Sequence, residues 1–178
     1  AVFGGSFNPP HVAHVLACAL LLSIERVEIV LVVPAYKHPF AKPLAPFHDR
    51  VTMCELAMGW IPHVQVSRVE EEMGGESRTL RTLEHLAQTH PEWALRLVIG
   101  ADILAEAPRW FGFDAIGKIA PPIVLARAGS DAGVGPALLP AVSSTQVRAA
   151  VARGDWTLVE KLVPRNVVTR IRETGLYR

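Results

Sequence analysis

Short apolar runs alternate along this chain with longer stretches in which apolar positions recur at helical spacing. Residues 27–33 (VEIVLVV), 95–99 and 123–125 are compact and rich in Val, Ile and Leu, the composition of strands covered on both faces. Residues 12–22, 50–58, 79–89 and 146–153 have the helical period. Residues 164–172 read as a further short helix that starts near a proline and gathers basic residues in its last turns. The opening residues are themselves strand-like, and a chain that begins at Ala1 directly on a strand is expected to lack a few upstream residues. Strand and helix in alternation predict an α/β fold with a single doubly wound parallel sheet and helices on both faces. Residues 34–46, with four prolines, and 128–136, rich in glycine and small residues, read as loops too short to link domains. One domain over residues 1–178 is expected, ending in a short helical part at about 155–178.

Composition narrows the class. The 178 residues are 50% hydrophobic and 20% charged, enough apolar material for a sizeable core. With 18 basic against 17 acidic residues the formal net charge is +1, which offers no field for a long polyanion, so nucleic acid is not an expected partner. The longest apolar run, 15–24, is broken by Ser23 and falls well short of the ~20 residues of a membrane span. No secretory signal precedes it, and a cytoplasmic protein with no membrane partner is expected. Cys18 and Cys54 lie in apolar stretches and form no Cys-x-x-Cys pair, so they read as buried structural thiols of a reducing compartment. Oligomeric state is left open.

The densest chemical signal is Phe3-Gly4-Gly5-Ser6-Phe7-Asn8-Pro9-Pro10-His11-Val12-Ala13-His14, between the first strand and an apolar helix. Open α/β sheets bind ligands outside the carboxyl ends of their strands, where this turn falls. Gly4 and Gly5 would let backbone amides approach a phosphate, and the helix would aim its N-terminal N–H groups and positive dipole at the same point. His11 and His14, three apart in the first turn, would share a face and both reach the anion. Neither a Walker P-loop nor a G-x-G-x-x-G fingerprint occurs in the chain. Plainer readings stand beside this one. A Gly-Gly turn is common punctuation, a helical histidine is usually structural, and His-x-x-His could be half of a metal site, although no third ligand stands at convincing spacing.

Near the other end, Val142-Ser143-Ser144-Thr145-Gln146-Val147-Arg148 sets hydroxyl residues before a helix and an arginine one turn inside it. On one reading Ser143 or Ser144 is an N-cap worth ~1 kcal/mol and Arg148 is a solvated charge. On the other, hydroxyls, helix N–H groups and a guanidinium form the second half of a polyphosphate site. The pair GGSFNPPHVAH and VSSTQVR resembles the two ATP motifs of the (T/H)-x-G-H nucleotidyltransferase superfamily. Over nearly the whole chain the sequence is similar to its bacterial nicotinate mononucleotide adenylyltransferases. That resemblance implies a Rossmann-like sheet with ATP held by Gly4, Gly5, Ser6, Phe7, His11, His14, Ser143, Ser144, Thr145 and Arg148. Of these, His11, His14 and Arg148 would act on the transferring phosphate.

The middle of the chain carries a narrower resemblance. Ser77-Arg78-Thr79-Leu80-Arg81-Thr82-Leu83 is similar to the family's Ser-Tyr-Thr-x-x-Thr-Leu, and Ile99-Gly100-Ala101-Asp102 with Pro108-Arg109-Trp110-Phe111 is similar to its Gly-x-Asp and Pro-x-Trp elements. The likeness implies that Trp110 stacks on the nicotinate ring, that Thr79 and its neighbours donate to the nicotinate carboxylate, and that Asp102 binds ribose hydroxyls. Lys42, Gly100, Phe111 and Arg127 would also line the substrate. On the residues alone, Trp110 could be core, Thr79 a helix N-cap and Asp102 a cap for the helix it begins. Four departures stand out: Ala13 where the family has glycine, Asn8 where aspartate is commoner, Pro39-Phe40-Ala41-Lys42 for Pro-Pro-His-Lys, and Arg127-Ala128-Gly129 for Arg-Pro-Gly. They leave the roles of Lys37, His38 and Lys42 open.

The implied reaction converts ATP and nicotinate mononucleotide to deamido-NAD and pyrophosphate. Its nucleophile, a 5′-phosphate oxygen, is already ionised at neutral pH, so the lack of a Ser/His/Asp arrangement is expected. The protein would hold two anions in line and offset the charge gathering on the α-phosphate and the leaving group. Mg²⁺ would be carried by ATP, with no protein ligand named. Two other readings are a superfamily enzyme acting on phosphopantetheine and a nucleotide-binding protein that has lost catalysis, the latter encouraged only by Ala13.

Overall fold

In the computed structural model the described residues are 1–37, 43–101, 110–126, 128 and 139–178. Five strands form one parallel sheet: β1 (Val2–Gly5), β2 (Val30–Pro34), β3 (Val64–Val66), β4 (Leu97–Gly100) and β5 (Pro122–Leu125), in the order β3-β2-β1-β4-β5. Eight helices accompany them among the described residues: α1 (Val12–Ile24), α2 (Phe47–Met58), α3 (Val69–Met73), α4 (Thr79–Thr89), α5 (Phe113–Ile119), α6 (Ser144–Ala152), α7 (Trp156–Leu162) and α8 (Arg165–Thr174).

All five residues of β2 are buried, and their alternation shows why the strand is apolar throughout. Val30 and Val32 enter one core cluster with Leu21 of α1, Met53 of α2, Val147 of α6 and Ile171 of α8. Leu31 and Val33 enter a second with Leu83 and Leu86 of α4 and Ile116 of α5. The sheet is therefore covered on both faces, the doubly wound arrangement expected from the pattern. The chain runs outward through β1, β2 and β3, then crosses to β4 on the other side of β1. The order reverses between β1 and β4, and ligands of such sheets lie in the crevice at that switch point, beyond the strands' carboxyl ends.

Boundaries differ from expectation where local chemistry overrides pattern. β2 starts at Val30 and not at 27, because the N–H of Val27 is spent on a turn to the Glu25 carbonyl (2.9 Å). It also takes in Pro34, paired with Gly5 at the strand's end, where the missing N–H costs nothing. β3 and α3 were not expected: β3 is a three-residue VQV segment, and α3 carries three acidic residues in its single turn. Neither has length enough to show a period. No helix among the described residues is long and apolar enough to cross a membrane.

Cys18 and Cys54 are free thiols buried in α1 and α2. Burial pushes Cys18 up to about 12 and raises Cys54 as well, so both stay protonated and pack as small apolar groups.

Candidate active site

The β1–α1 connection lies at the carboxyl edge, but its glycines do not form the turn assigned to them. Gly4 and Gly5 are the last residues of β1, and neither has positive φ. A Cβ at Gly4 would meet nothing within 4 Å, whereas one at Gly5 would stand 3.3 Å from the ring of Phe7. Gly5 thus makes room for Phe7, which bends the chain through a left-handed φ of 46° and buries its ring edge-on to His14, centroids 4.9 Å apart. The Asn8–Pro9 bond that follows is cis.

His11 and His14 do come together, with ring centroids 3.8 Å apart and planes 23° from parallel. They are not equivalent, however. His11 is the N-cap of α1, in extended backbone and only 2% exposed, and not a residue of its first turn. His14 is half-buried, and its Nδ1 accepts the backbone N–H of His11 at 3.1 Å. A nitrogen that accepts a hydrogen bond carries no proton, so in the neutral ring the proton sits on Nε2. Ala13, between them, is buried in the core cluster that includes Phe7. Its methyl group is accommodated by packing.

Hydrogen bonds stitch the second motif to this loop. Arg148 Nη1 donates to the Asn8 carbonyl and Ser144 Oγ to the Pro9 carbonyl, both at 2.9 Å, while Arg148 Nη2 reaches Thr145 Oγ1 at 3.2 Å. Ser143 is the N-cap of α6, its Oγ accepting the Gln146 N–H at 3.2 Å, so the structural reading of that serine holds. Ser144 is the first helical residue, and its hydroxyl serves the loop. The amino ends of α1 and α6 meet at the Asn8–Pro9 peptide.

Three side chains hold this loop in place: Arg50 and Tyr177, missed by sequence reasoning, and Asn8, noted there only as a departure from the family pattern. Arg50, in α2 and 1% exposed, donates to the carbonyls of Ser6 and Ala45, both at 2.9 Å, and reaches that of Tyr36 at 3.5 Å. Burial lowers its pKa, yet a guanidinium stays charged at any neutral pH. Asn8 Oδ1 accepts both the Ala45 N–H (3.0 Å) and the Tyr177 hydroxyl (2.9 Å). Burial also raises the Tyr177 phenol, which remains a donor. The sequence names no partners for them.

On the other side of the crevice, Gly100 ends β4, and α4 begins at Thr79 with Arg78 as its N-cap residue; Thr79 is not the cap. Trp110 is half-buried against the second core cluster, whereas Phe111 is 75% exposed. Gly112 has φ of +72°, a conformation that favours glycine, and a Cβ there would press on the Leu80 side chain at the start of α4. Glu70 ties in the end of β2: its carboxylate accepts the Tyr36 N–H (3.0 Å), the Thr82 hydroxyl (3.0 Å) and the Ser77 hydroxyl. Lys42, Asp102 and Arg127, with His38 and Arg109, lie outside the described residues. Among the described residues no group of three or more His, Cys, Asp or Glu side chains is placed to hold a metal ion.

Two joined phosphate-type motifs on a 3-2-1-4-5 parallel sheet invite comparison with known proteins. Residues 2–150 match the cytidylyltransferase-like family. The probable nicotinate-nucleotide adenylyltransferase of Anaeromyxobacter sp. (strain K) is 45% identical over 181 residues, covering 100% of this chain and 96% of that protein. The chain belongs to the nicotinate-nucleotide adenylyltransferases of the cytidylyltransferase-like family. A second relative, from Myxococcus xanthus and named likewise, is 40% identical and covers 99% of this chain and 93% of its own. Among solved structures, the Plasmodium falciparum nicotinic acid mononucleotide adenylyltransferase complexed with NaAD superposes with a TM-score of 0.84. At 17% identity, over 99% of this chain and 95% of that one, it shows a shared fold.

Within this adenylyltransferase the family match stops at residue 150, just beyond Arg148. The remaining residues are not idle in the site. Tyr177 bonds Asn8, and Arg170 of α8 donates at 2.8 Å to Asp49 of α2, the residue before the buried Arg50. The helical end of the chain therefore braces the loop that follows β1.

Proposed function

We propose that this chain, acting as one domain, transfers the adenylyl group of ATP to nicotinate mononucleotide, releasing pyrophosphate and forming deamido-NAD in a cytoplasmic step of NAD synthesis. The observation that carries the reading is the pair of bonds from Arg148 and Ser144 to the Asn8–Pro9 loop, which makes one site of two motifs 140 and 135 residues apart. Two helix amino ends then serve one polyphosphate with their partial positive charge. His14 Nε2 donates to the α-phosphate as charge builds there, while Arg148, Ser144 and Thr145 serve the β- and γ-phosphates. His11 acts beneath them, orienting His14 through its backbone N–H. Because the acceptor phosphate is ionised before it attacks, the work is alignment and charge compensation, and no residue need remove a proton. Mg²⁺ enters bound to ATP, in keeping with an ion that retains waters and binds largely through phosphates.

The test is pyrophosphate release from ATP and Mg²⁺ with nicotinate mononucleotide, nicotinamide mononucleotide and phosphopantetheine offered separately. Release with the first is expected; turnover of phosphopantetheine alone would overturn the assignment. Within that assay, Arg148→Ala is expected to raise KM for ATP about tenfold or more, the scale of a lost charge-assisted bond, with KM for the mononucleotide within about twofold. Equal losses for both substrates would remove Arg148 from the triphosphate side.

A further inference from the structure

In-line adenylyl transfer holds two substrates at a set separation, and a misplacement of about 1 Å can cost a factor of about 10² in rate. The crevice has two walls. The loop after β1 and the amino end of α6 form one, and the start of α4 with the 110–112 turn forms the other. With ATP on the first wall, as read above, the acceptor stands against the second. We propose that Glu70 is a positioning residue that sets the spacing of the two walls.

The walls are joined by residues 35–37, which run on from β2. The Ala35 N–H donates at 2.9 Å to the carbonyl of Gly5, the last residue of β1. The next amide, that of Tyr36, donates to Glu70 at 3.0 Å. Lys37 then pairs with Ser77 in both directions: its carbonyl accepts the Ser77 N–H at 2.9 Å, and its own N–H donates to Ser77 Oγ at 3.2 Å. Successive peptide groups thus step from the end of β1 to a residue just ahead of α4. The Tyr36 ring, edge-on to Phe47 at the start of α2 with centroids 5.2 Å apart, keeps the segment from turning.

Glu70 is where that segment is fastened to the helix itself. Besides Tyr36, its carboxylate accepts the Ser77 hydroxyl and, at 3.0 Å, the hydroxyl of Thr82, which is buried inside α4. Three donors from three places need the several lone pairs that two carboxylate oxygens supply, and together they leave the half-buried side chain little freedom. The neighbouring Glu71 is turned to Arg68 instead, at 2.8 Å. Without Glu70 the backbone bonds from Ala35 to Gly5 and between Lys37 and Ser77 would persist. The fold would survive, and what would loosen is the reach from Tyr36 to Thr82.

The experiment measures kcat and both KM values for pyrophosphate release from ATP and nicotinate mononucleotide, with melting curves, in the parent protein and in Glu70→Gln, Glu70→Asp and Glu70→Ala. Gln keeps the length and an oxygen for the Tyr36 N–H, and turnover within about threefold of the parent is expected. Asp keeps the charge but is one carbon too short to hold Tyr36 and Thr82 together. Its kcat is expected to fall about tenfold with KM for ATP within about twofold, and Ala should lose at least as much. A folded Asp variant with the parent's turnover would overturn the role of Glu70, even if Ala failed to fold. So would a Gln variant as slow as Asp, or a rise in KM for ATP matching the loss of kcat; each leaves the adenylyl-transfer reading standing. A parent protein that releases no pyrophosphate with this acceptor would overturn that reading, and this one with it.

Discussion

Replacing His14 with alanine is expected to lower kcat by a factor of about 10² or more while the protein still folds. The Nδ1 of His14 is held by the His11 N–H, so the ring arrives at the phosphate with its proton already on Nε2 and its orientation fixed by stacking on His11. A donor set up in this way gains most when charge gathers on the α-phosphate, which is why the loss falls on kcat more than on KM. The same substitution removes one cap interaction of α1, worth ~1 kcal/mol, or about 2–4 °C of melting temperature for a chain of this size. Steady-state kinetics beside a melting curve separate the two effects. A variant with the parent's turnover would take His14 out of the chemistry.

The largest effect on stability is expected at Arg50. In Arg50→Met the side chain keeps an apolar stem but leaves the part-buried carbonyls of Ser6 and Ala45 without their donor. Each such group costs about 1–3 kcal/mol, so a loss of roughly 2–5 kcal/mol and a melting temperature lower by about 10 °C are expected. Because Ser6 belongs to the nucleotide loop, KM for ATP should rise as well. Arg50→Lys should recover only part, since one ammonium on a flexible stem cannot serve carbonyls from three separate segments. A Met variant melting within about 2 °C of the parent would show that these bonds do not hold the loop.

Much of the architecture was legible because β2 and the long helices announce themselves by composition and period. The VEIVLVV run suits a strand covered on both faces, and β2 takes up its second half, while 79–89 matches α4 at both ends. What escaped were β3 and α3, too short to be periodic, and the seven-residue α5; α7 fell within the helical end expected at about 155–178, without bounds of its own. Asp155, whose side chain accepts the Leu158 N–H, was a readable start signal for α7. In the candidate site, the 3–14 and 142–148 motifs were visible as local chemistry, and so were the Thr79 and Trp110 segments. Their partners were not. Arg50, Asn8 and Tyr177 act through carbonyls and amides distant in sequence, and pattern carries no information about which backbone group a buried polar side chain will meet. The difference between His11 and His14 is of the same kind, set by a cap geometry one residue away from the one the spacing suggested.

The central position of β1 has a consequence for how the protein is made. One neighbour of β1 is β2, but the other begins only at Leu97. On a ribosome adding about 5–20 residues per second, the far edge of β1 waits on the order of ten seconds for its mate, an exposed row of peptide groups of the kind that nucleates aggregation. The loop after it waits longer, until Ser144 and Arg148 have emerged, and Tyr177 follows later still. A nascent chain stalled before Ser144 would hold all five strands of its sheet, yet its nucleotide loop would still lack the second motif that secures it.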